Sequence, residues 1–95
     1  MCIRDRYGSN FKLESNDFLR AGNLYRKVGN DLKAINNYGK AIEVNYKNAA
    51  ALYQRATLFH KLGYYDKAKA DLKKVILIDE GHKGARELMK DSAFN

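Results

Sequence analysis

The chain has 95 residues, of which 45% are hydrophobic, and this is enough for one small domain whose stability depends on efficient packing. No run of about 18 apolar residues occurs, so the sequence predicts no membrane-spanning helix. The formal charge of +7 is spread along the chain, which is typical of a solvated surface and also permits acidic partners.

The two N-terminal segments carry no predicted helix. Residues 1–6, with the sequence MCIRDR, resemble the in-frame translation of an adapter used to prepare sequencing libraries, and we expect them not to be native. They contain the only cysteine of the chain, so cysteine content predicts no cellular compartment. Residues 7–14 show no clear period and are predicted to form a polar lead-in.

Residues 15–48 are predicted to form a pair of helices. The first helix has small and apolar side chains at the spacing i, i+3, i+4, i+7 and i+10, which places them on one stripe. They are Phe18, Ala21, Gly22, Tyr25 and Val28. Ser15, Asn16 and Asp17 offer oxygen atoms that can cap the start of this helix. Gly29 is expected to end it, because glycine readily adopts the left-handed conformation found there.

The second helix of the pair is predicted to begin after a cap at Asn30 or Asp31. It too has an apolar stripe at helical spacing. The stripe consists of Ala34, Ile35, Tyr38, Ala41, Ile42 and Val44. Because about three residues link the two helices, they are predicted to form an antiparallel hairpin.

Residues 49–82 repeat this arrangement. Helices are predicted over residues 49–62 and 66–78, and Gly63 is expected to end the first of them. A further helix is predicted over residues 83–93, with an apolar stripe and a polar opposite half. Its stripe consists of Ala85, Leu88, Met89, Ser92 and Ala93. A polar outer half is typical of a helix that caps the end of a helical stack.

The two hairpins are copies of one repeat. Shifting the sequence by 34 residues superposes identical residues at several positions. The pairs are Leu24 and Leu58, Lys27 and Lys61, Gly29 and Gly63, Lys33 and Lys67, Ala34 and Ala68, Lys40 and Lys74, and Ile42 and Ile76. A fixed period of this length is typical of stacked repeats, in which each unit buries its apolar face against its neighbours.

This repeat resembles the tetratricopeptide repeat, a helix-turn-helix unit of about 34 residues. The resemblance rests on small and large residues at fixed positions. They are Phe18, Gly22, Tyr25, Gly29, Ala34, Tyr38 and Ala41 in the first repeat, and Leu52, Ala56, Phe59, Gly63, Ala68, Leu72 and Val75 in the second. The resemblance implies an all-α fold of antiparallel helix-turn-helix repeats, stacked as a short right-handed α-solenoid. The repeats occupy residues 15–48 and 49–82, and residues 83–95 form a capping helix or start a further repeat.

Three positions depart from the family pattern. Tyr46 and Glu80 stand where a proline is expected at the end of each repeat, and Arg55 stands where leucine is usual. Two repeats with a cap are also fewer than the roughly three that usually form a stable stack. We therefore expect a natural protein that continues upstream, which leaves the outer face of the first hairpin exposed. The alternative is a short array that buries this face by self-association.

No catalytic, cofactor or metal site is predicted. The sequence contains no nucleophile and base with a supporting signature, no phosphate-binding loop and no Cys/His ligand set. His60 and His82 lie on different predicted elements, and each is interpreted as a surface or packing side chain. Since function requires a site and not only a fold, we predict that the protein is not an enzyme.

The family resemblance implies that the first helix of each hairpin lines a concave groove. The residues predicted to contact a peptide are Arg20, Asn23, Arg26, Lys27, Tyr53, Gln54, Thr57, His60 and Lys61. Asn16, Leu19 and Ala50 complete the predicted lining, which contains no carboxylate. Cations and amide groups suit an extended peptide with acidic side chains or a C-terminal carboxylate. The competing interpretation is that these cations are ordinary solvated helix charges.

The predicted function is therefore a non-catalytic protein–protein interaction module that binds an extended acidic peptide as a scaffold or adaptor. Two alternatives stay open. A structural spacer within a larger protein would bind no peptide. An RNA-binding helical repeat would also be basic, and its bases could stack on Tyr53, Tyr64 and Tyr65. These tyrosines do not fall on one helical face, so nucleic acid is not the favoured partner.

Overall fold

Five α-helices make up most of residues 14–90, which are the residues described by a computed structural model of the chain. The helices are α1 (Ser15–Lys27), α2 (Asp31–Val44), α3 (Ala49–Leu62), α4 (Tyr65–Ile78) and α5 (Lys83–Met89). This part of the chain contains no strand, and none of its helices has the length and apolar character needed to cross a membrane. The prediction of an all-α helical repeat fold is confirmed. The predictions for residues 1–13 and 91–95 lie outside the described residues.

Each hairpin turns at a glycine in the left-handed conformation. The φ angle is 87° at Gly29 and 90° at Gly63, a region that glycine enters without the steric cost of a Cβ atom. Gly29 N donates to the carbonyl oxygen of Arg26 at 3.0 Å, and Asn30 N donates to that of Tyr25 at 2.8 Å. The same two bonds recur at Gly63, at 3.2 and 2.8 Å. They satisfy carbonyl groups at the helix end, so both glycines act as predicted.

Side chains cap the starts of three helices. Asn30 Oδ1, Asn48 Oδ1 and His82 Nδ1 each accept a hydrogen bond from the backbone N–H three residues later, at 3.3, 3.1 and 3.0 Å. Of the two caps predicted for α2, Asn30 is the one used. Helix α4 begins at Tyr65, one residue before the predicted start, and its N-cap residue makes no side-chain hydrogen bond.

The start of α1 agrees with the prediction at Asp17 and differs from it at Ser15. Ser15 lies inside the helix, and Glu14 is the N-cap residue, whose N–H donates to Asp17 Oδ2 at 2.8 Å. The buried Ser15 hydroxyl instead donates to the carbonyl oxygen of Ala41 at 2.6 Å and accepts from Asn48 Nδ2 at 2.7 Å. These bonds join the start of α1 to the end of α2 and to the cap of α3. Ser15 therefore connects the two repeats and does not cap a helix.

The core consists of two clusters of fully buried side chains. The first joins the hairpins, because Ala34 and Tyr38 of α2 contact Leu58 of α3. The second lies between α3, α4 and α5 and consists of Leu52, Ala56, Ala68, Leu72, Val75 and Ala85. Apart from Leu58, these residues lie on the predicted apolar stripes or at the repeat positions that carry the family resemblance. The burial of Leu58 shows that α3 contacts the first hairpin through a residue outside both of these sets.

A glycine in α1 makes room for a buried ring in α2. A Cβ atom added to Gly22 would lie 2.6 Å from Tyr38 Cε1, well inside the roughly 3.5 Å at which carbon atoms pack. The second repeat has Ala56 and Leu72 at the equivalent positions, and both are fully buried. The first repeat thus combines the smaller residue with the larger partner. This pairing keeps the combined volume similar, which is the kind of exchange that a core tolerates.

We expect Ala34→Leu and Ala68→Leu each to lower the free energy of unfolding by about 1 to 3 kcal/mol. Both alanines are fully buried at the same repeat position, so a larger side chain overpacks the space between the helices. The measurement is urea denaturation followed by circular dichroism. Ala70→Leu, at an exposed position of α4, is the matched control and should change stability by less than about 0.5 kcal/mol. Parent-like stability in both buried variants would contradict this packing register.

An ion pair occupies the position where the family pattern has leucine. Arg55 Nε and Nη2 donate to the two carboxylate oxygens of Asp71, each at 2.8 Å. The Asp71 side chain is only 4% exposed and that of Arg55 is 22% exposed. The guanidinium carbon also lies 5.5 Å from the centre of the Phe59 ring. A bidentate pair satisfies the polar groups that Arg55 brings into the hairpin, which explains why the fold tolerates this departure.

Several side chains of the predicted stripes are exposed. Val28 is 77% exposed, and its neighbour on the same outer side of the first hairpin, Leu24, is 65% exposed. With Ala21 and Tyr25 they line an apolar concavity, which we call the N-terminal face. No repeat packs against this face within the described residues, which accounts for its exposure. The last residues of α2, α3 and α4 are also partly exposed. They are Val44, Leu62 and Ile78.

The C-terminal end of the stack is closed by one short helix. Ala85 of α5 is fully buried, and Leu88 and Met89 pack against the second core cluster. The helix ends at Met89, with Lys90 as its C-cap residue, and is therefore shorter than the predicted helix over residues 83–93. The stripe positions Ser92 and Ala93 lie outside the described residues.

Candidate peptide-binding face

The candidate site lies on α1 and α3, the first helices of the two hairpins. We call the side of these helices that carries the predicted groove residues the α1/α3 face. These residues differ in the contacts that they make, although the sequence predicted one common role for them. Some contact each other, others pair with carboxylates, and one packs against α5. These contacts decide which side chains are available to a ligand.

Three of the predicted residues are brought together between the two helices. Arg26 Nη1 donates a hydrogen bond to Gln54 Oε1 and so links α1 to α3. The Tyr38 hydroxyl donates to Asn23 Oδ1 at 2.6 Å, and the positive charge of Arg26 acts on Tyr38, where it lowers the pKa. We call Asn23, Arg26 and Gln54 the donor cluster, and the buried Tyr38 supports it from α2.

The chemistry of these groups fixes the direction of each bond. A guanidinium group can only donate, so Gln54 must present its oxygen to Arg26. The Tyr38 hydroxyl gives its proton to the oxygen of Asn23. Both amide oxygens are therefore occupied, and within residues 14–90 the NH₂ groups of Asn23 and Gln54 have no partner. The cluster presents donors and no free amide acceptor.

The protonation state of Tyr38 supports this arrangement. Burial raises the pKa of Tyr38 above its ordinary value, and the charge and hydrogen bond of Arg26 oppose this effect only in part. Because an unperturbed tyrosine already titrates near pH 10, the hydroxyl of Tyr38 is protonated at neutral pH. It is therefore a donor to Asn23 under ordinary conditions.

The cations of the α1/α3 face differ in their pairing. Arg26 has no carboxylate partner within residues 14–90, so the donor cluster keeps its positive charge. Arg20 instead pairs with Asp17 on the same helix, and Lys61 Nζ lies 3.1 Å from Asp31 Oδ2. Exposed pairs of this kind contribute at most about 1 kcal/mol, so a ligand carboxylate can displace either aspartate. The predicted lining has no carboxylate of its own, but two carboxylates reach its cations.

Tyr53 is committed to packing within the protein. Its ring centre lies 4.7 Å from that of His82, and a Cβ atom on Gly84 would come within 2.7 Å of its hydroxyl oxygen. The side chain thus fills the space between α3 and the start of α5. It belongs to the group of partly buried residues around the second core cluster.

The other predicted residues of the face lie around the donor cluster. Lys27 follows Arg26 in α1, is exposed and has no carboxylate partner within residues 14–90. Thr57 Oγ1 donates to the carbonyl oxygen of Gln54 at 2.7 Å, so its hydroxyl is held against its own helix. The His60 ring centre lies 5.4 Å from that of Tyr65 in an edge-on contact.

Sequence reasoning missed the part played by Tyr38 in the site. The sequence places it on the apolar stripe of α2, where the second repeat has Leu72. A buried tyrosine hydroxyl usually requires a hydrogen-bond partner. A tyrosine at a position where the other repeat has leucine therefore indicates a polar contact. The pairing of Arg20 with Asp17 was also readable, because residues at i and i+3 face each other on a helix.

Comparisons with known proteins agree with the repeat architecture. Residues 22–63 match a family model described as TPR repeat, and residues 49–82 match one described as Tetratricopeptide repeat. Tetratricopeptide repeat protein 14 from Mus musculus is 32% identical to this chain over 71 residues. The match covers 75% of the chain and 9% of the murine protein, so the chain corresponds to a small part of that relative.

Proposed function

Because this chain belongs to the tetratricopeptide repeat family, whose repeats generally mediate contacts between proteins, we propose that it binds an extended acidic peptide on its α1/α3 face. In this role it is a non-catalytic interaction module that serves as a scaffold or adaptor. The ligand class follows from the donor cluster. The proposal concerns this segment, since the relative to which it is similar is much longer.

The observation that carries the proposal is the set of donors that the cluster presents. Arg26 supplies a guanidinium group, and Asn23 and Gln54 supply NH₂ groups, while both amide oxygens are engaged. Carboxylates and backbone carbonyl groups are the complementary acceptors. Arg26 is half-buried and held by Gln54, so less side-chain entropy is lost on binding than for a freely moving arginine.

The surrounding cations extend the positive surface along the ligand. Lys27 is unpaired within residues 14–90, and the exposed pairs of Arg20 and Lys61 can exchange their aspartates for ligand carboxylates. Each exchange replaces one weak pair by another and adds little net energy. The affinity is therefore expected to be micromolar or weaker, which corresponds to at most roughly 8 kcal/mol.

We expect Arg26→Gln to weaken the binding of a glutamate-rich peptide about tenfold, because losing a charged hydrogen bond costs roughly 1.5 to 3 kcal/mol. Glutamine removes the charge and keeps an N–H donor, and a circular dichroism melt checks that the fold is retained. Arg20→Ala is the matched control and should weaken binding less than about threefold, since the charge of Arg20 is already paired with Asp17. The measurement is fluorescence anisotropy or calorimetry with glutamate-rich and lysine-rich peptide pools. Added salt should weaken the specific binding.

Three results would contradict this proposal. Equal affinity for the two pools would show that the cations of the α1/α3 face are only solvated charges. An Arg26→Gln, Arg20→Ala variant with parent-like affinity would remove the donor cluster from the site and favour a structural spacer. Binding of single-stranded oligonucleotides with a steep salt dependence, in the absence of peptide binding, would favour the RNA-binding alternative.

A further inference from the structure

A second concave surface is built from different helices. It lies between the C-terminal end of α2, the loop that follows, and the C-terminal end of α4, and it has a volume of about 470 Å³. We call it the α2/α4 groove. Its lining consists of Ile42, Tyr46, Lys47, Lys74, Leu77 and Ile78. The volume is in the range of roughly 300 to 1,000 Å³ found for ligand sites, and no residue predicted for the α1/α3 face takes part.

Two apolar residues of this groove are unusually exposed for their type. The exposed fraction is 84% for Leu77 and 72% for Tyr46. The other repeat has glutamate at both equivalent positions, since Glu43 corresponds to Leu77 and Glu80 corresponds to Tyr46. The repeat fold therefore does not require an apolar side chain at either position. One apolar residue from each repeat nevertheless meets in a single groove, and clustered exposed apolar surface marks an interaction site.

The charges around the groove have one sign. Lys47 and Lys74 are the charged residues of the lining, and Lys47 Nζ lies 5.8 Å from the centre of the Tyr46 ring. Neither lysine has a carboxylate partner within residues 14–90. The nearby Asp79 is engaged in its own turn, where its Oδ1 accepts from Gly81 N at 3.1 Å. Carboxylates beside an apolar side chain are the complementary partner for this surface.

We propose that the α2/α4 groove binds a protein segment in which large apolar side chains are flanked by carboxylates. Leu77 and Tyr46 flank the apolar side chain of the partner, and the half-buried Ile42, which packs on the second core cluster, forms the floor. Lys47 and Lys74 contact the flanking carboxylates. The enclosed volume suits individual side chains better than a flat lipid surface. This site is separate from the donor cluster, so the protein can hold two partners or two segments of one partner.

The test uses a fluorescein-labelled synthetic peptide with a central Leu-Phe pair between glutamates. Leu77→Glu is expected to weaken its binding at least about tenfold, because it removes the burial of a large apolar side chain and adds repulsion. Tyr46→Glu, located in a loop, is expected to act in the same direction. Leu32→Glu, which removes a leucine that is 74% exposed elsewhere, should stay within about threefold. Because the glutamates of the peptide can also bind the donor cluster, every groove variant and this control are made in an Arg26→Gln background.

Each groove variant copies the residue of the other repeat, so both are expected to fold, and circular dichroism melts check this. A peptide with lysines in place of the glutamates should bind at least about tenfold more weakly. Unchanged affinity in both Leu77→Glu and Tyr46→Glu, or equal binding of the lysine peptide, overturns the proposal. So does binding of phosphatidylserine-containing vesicles without peptide binding, or a self-association in sedimentation that Leu77→Glu abolishes, since these assign the groove to a membrane or to a second copy.

Discussion

Leu58→Ala is expected to lower the free energy of unfolding by about 3 kcal/mol, whereas Leu24→Ala should change it by less than about 0.5 kcal/mol. The two leucines occupy the same position in consecutive repeats. Leu58 is fully buried against Ala34 and Tyr38, so truncation removes apolar burial and leaves a cavity between the hairpins. Leu24 is 65% exposed on the N-terminal face, and its truncation leaves no cavity.

The measurement is urea denaturation of both variants at two protein concentrations. Equal stability losses in the two variants would contradict the stacking of the hairpins through Leu58. The concentration series also tests the alternative of self-association through the N-terminal face, because a protein that dimerises becomes more stable at higher concentration. A concentration dependence that disappears in Leu24→Glu would support that prediction, and a concentration-independent parent would argue against it.

The hairpins themselves could be predicted because their signals are local. The predicted bounds of α3, residues 49–62, are those observed, and the chain turns at Gly29 and Gly63 as expected. Helical periodicity and a glycine at a helix end depend only on residues that are close together along the chain. The period of 34 residues then determined that the second hairpin repeats the first.

Contacts between the hairpins could not be predicted in the same way. Leu24 and Leu58 have the same residue type and repeat position, yet one is exposed and the other fully buried. The difference depends on whether another hairpin packs against the leucine. The local sequence pattern around each leucine does not contain this information. Ser15 is a similar case, since a serine before a helix usually caps it, whereas its partners here come from α2 and from the cap of α3.

In the candidate site, too, contacts within one helix could be predicted and contacts between the hairpins could not. The residue types of the α1/α3 face could be predicted from the sequence. Arg20 and Arg26 were both predicted to be cations that contact a ligand. Arg20 is paired with Asp17 within one helix turn, a contact that spacing alone predicts. The bond from Arg26 to Gln54 crosses from α1 to α3 over 28 residues and does not follow the repeat period. The stacking of the two hairpins brings these two side chains together.

Asp71→Ala is expected to lower the free energy of unfolding by roughly 2 to 3 kcal/mol, because it leaves the charge of Arg55 without a partner in a largely buried position. The two hydrogen bonds of 2.8 Å are lost together. Asp31→Ala is the control, since it breaks an exposed pair with Lys61 and should cost less than about 1 kcal/mol. Urea denaturation at neutral pH measures both.

The double variant Arg55→Leu, Asp71→Ala distinguishes two contributions to the free energy of unfolding. One is the destabilisation by an unpaired Arg55 charge, and the other is the net stabilisation by the ion pair. Leucine is the residue that the family pattern has at the position of Arg55, and replacing a buried pair by apolar side chains is often neutral. We expect the double variant to recover most of the stability lost in Asp71→Ala. A double variant as unstable as the single one would mean that the bidentate pair itself stabilises the second hairpin. Recovery would instead mean that Asp71 is required only because Arg55 is present.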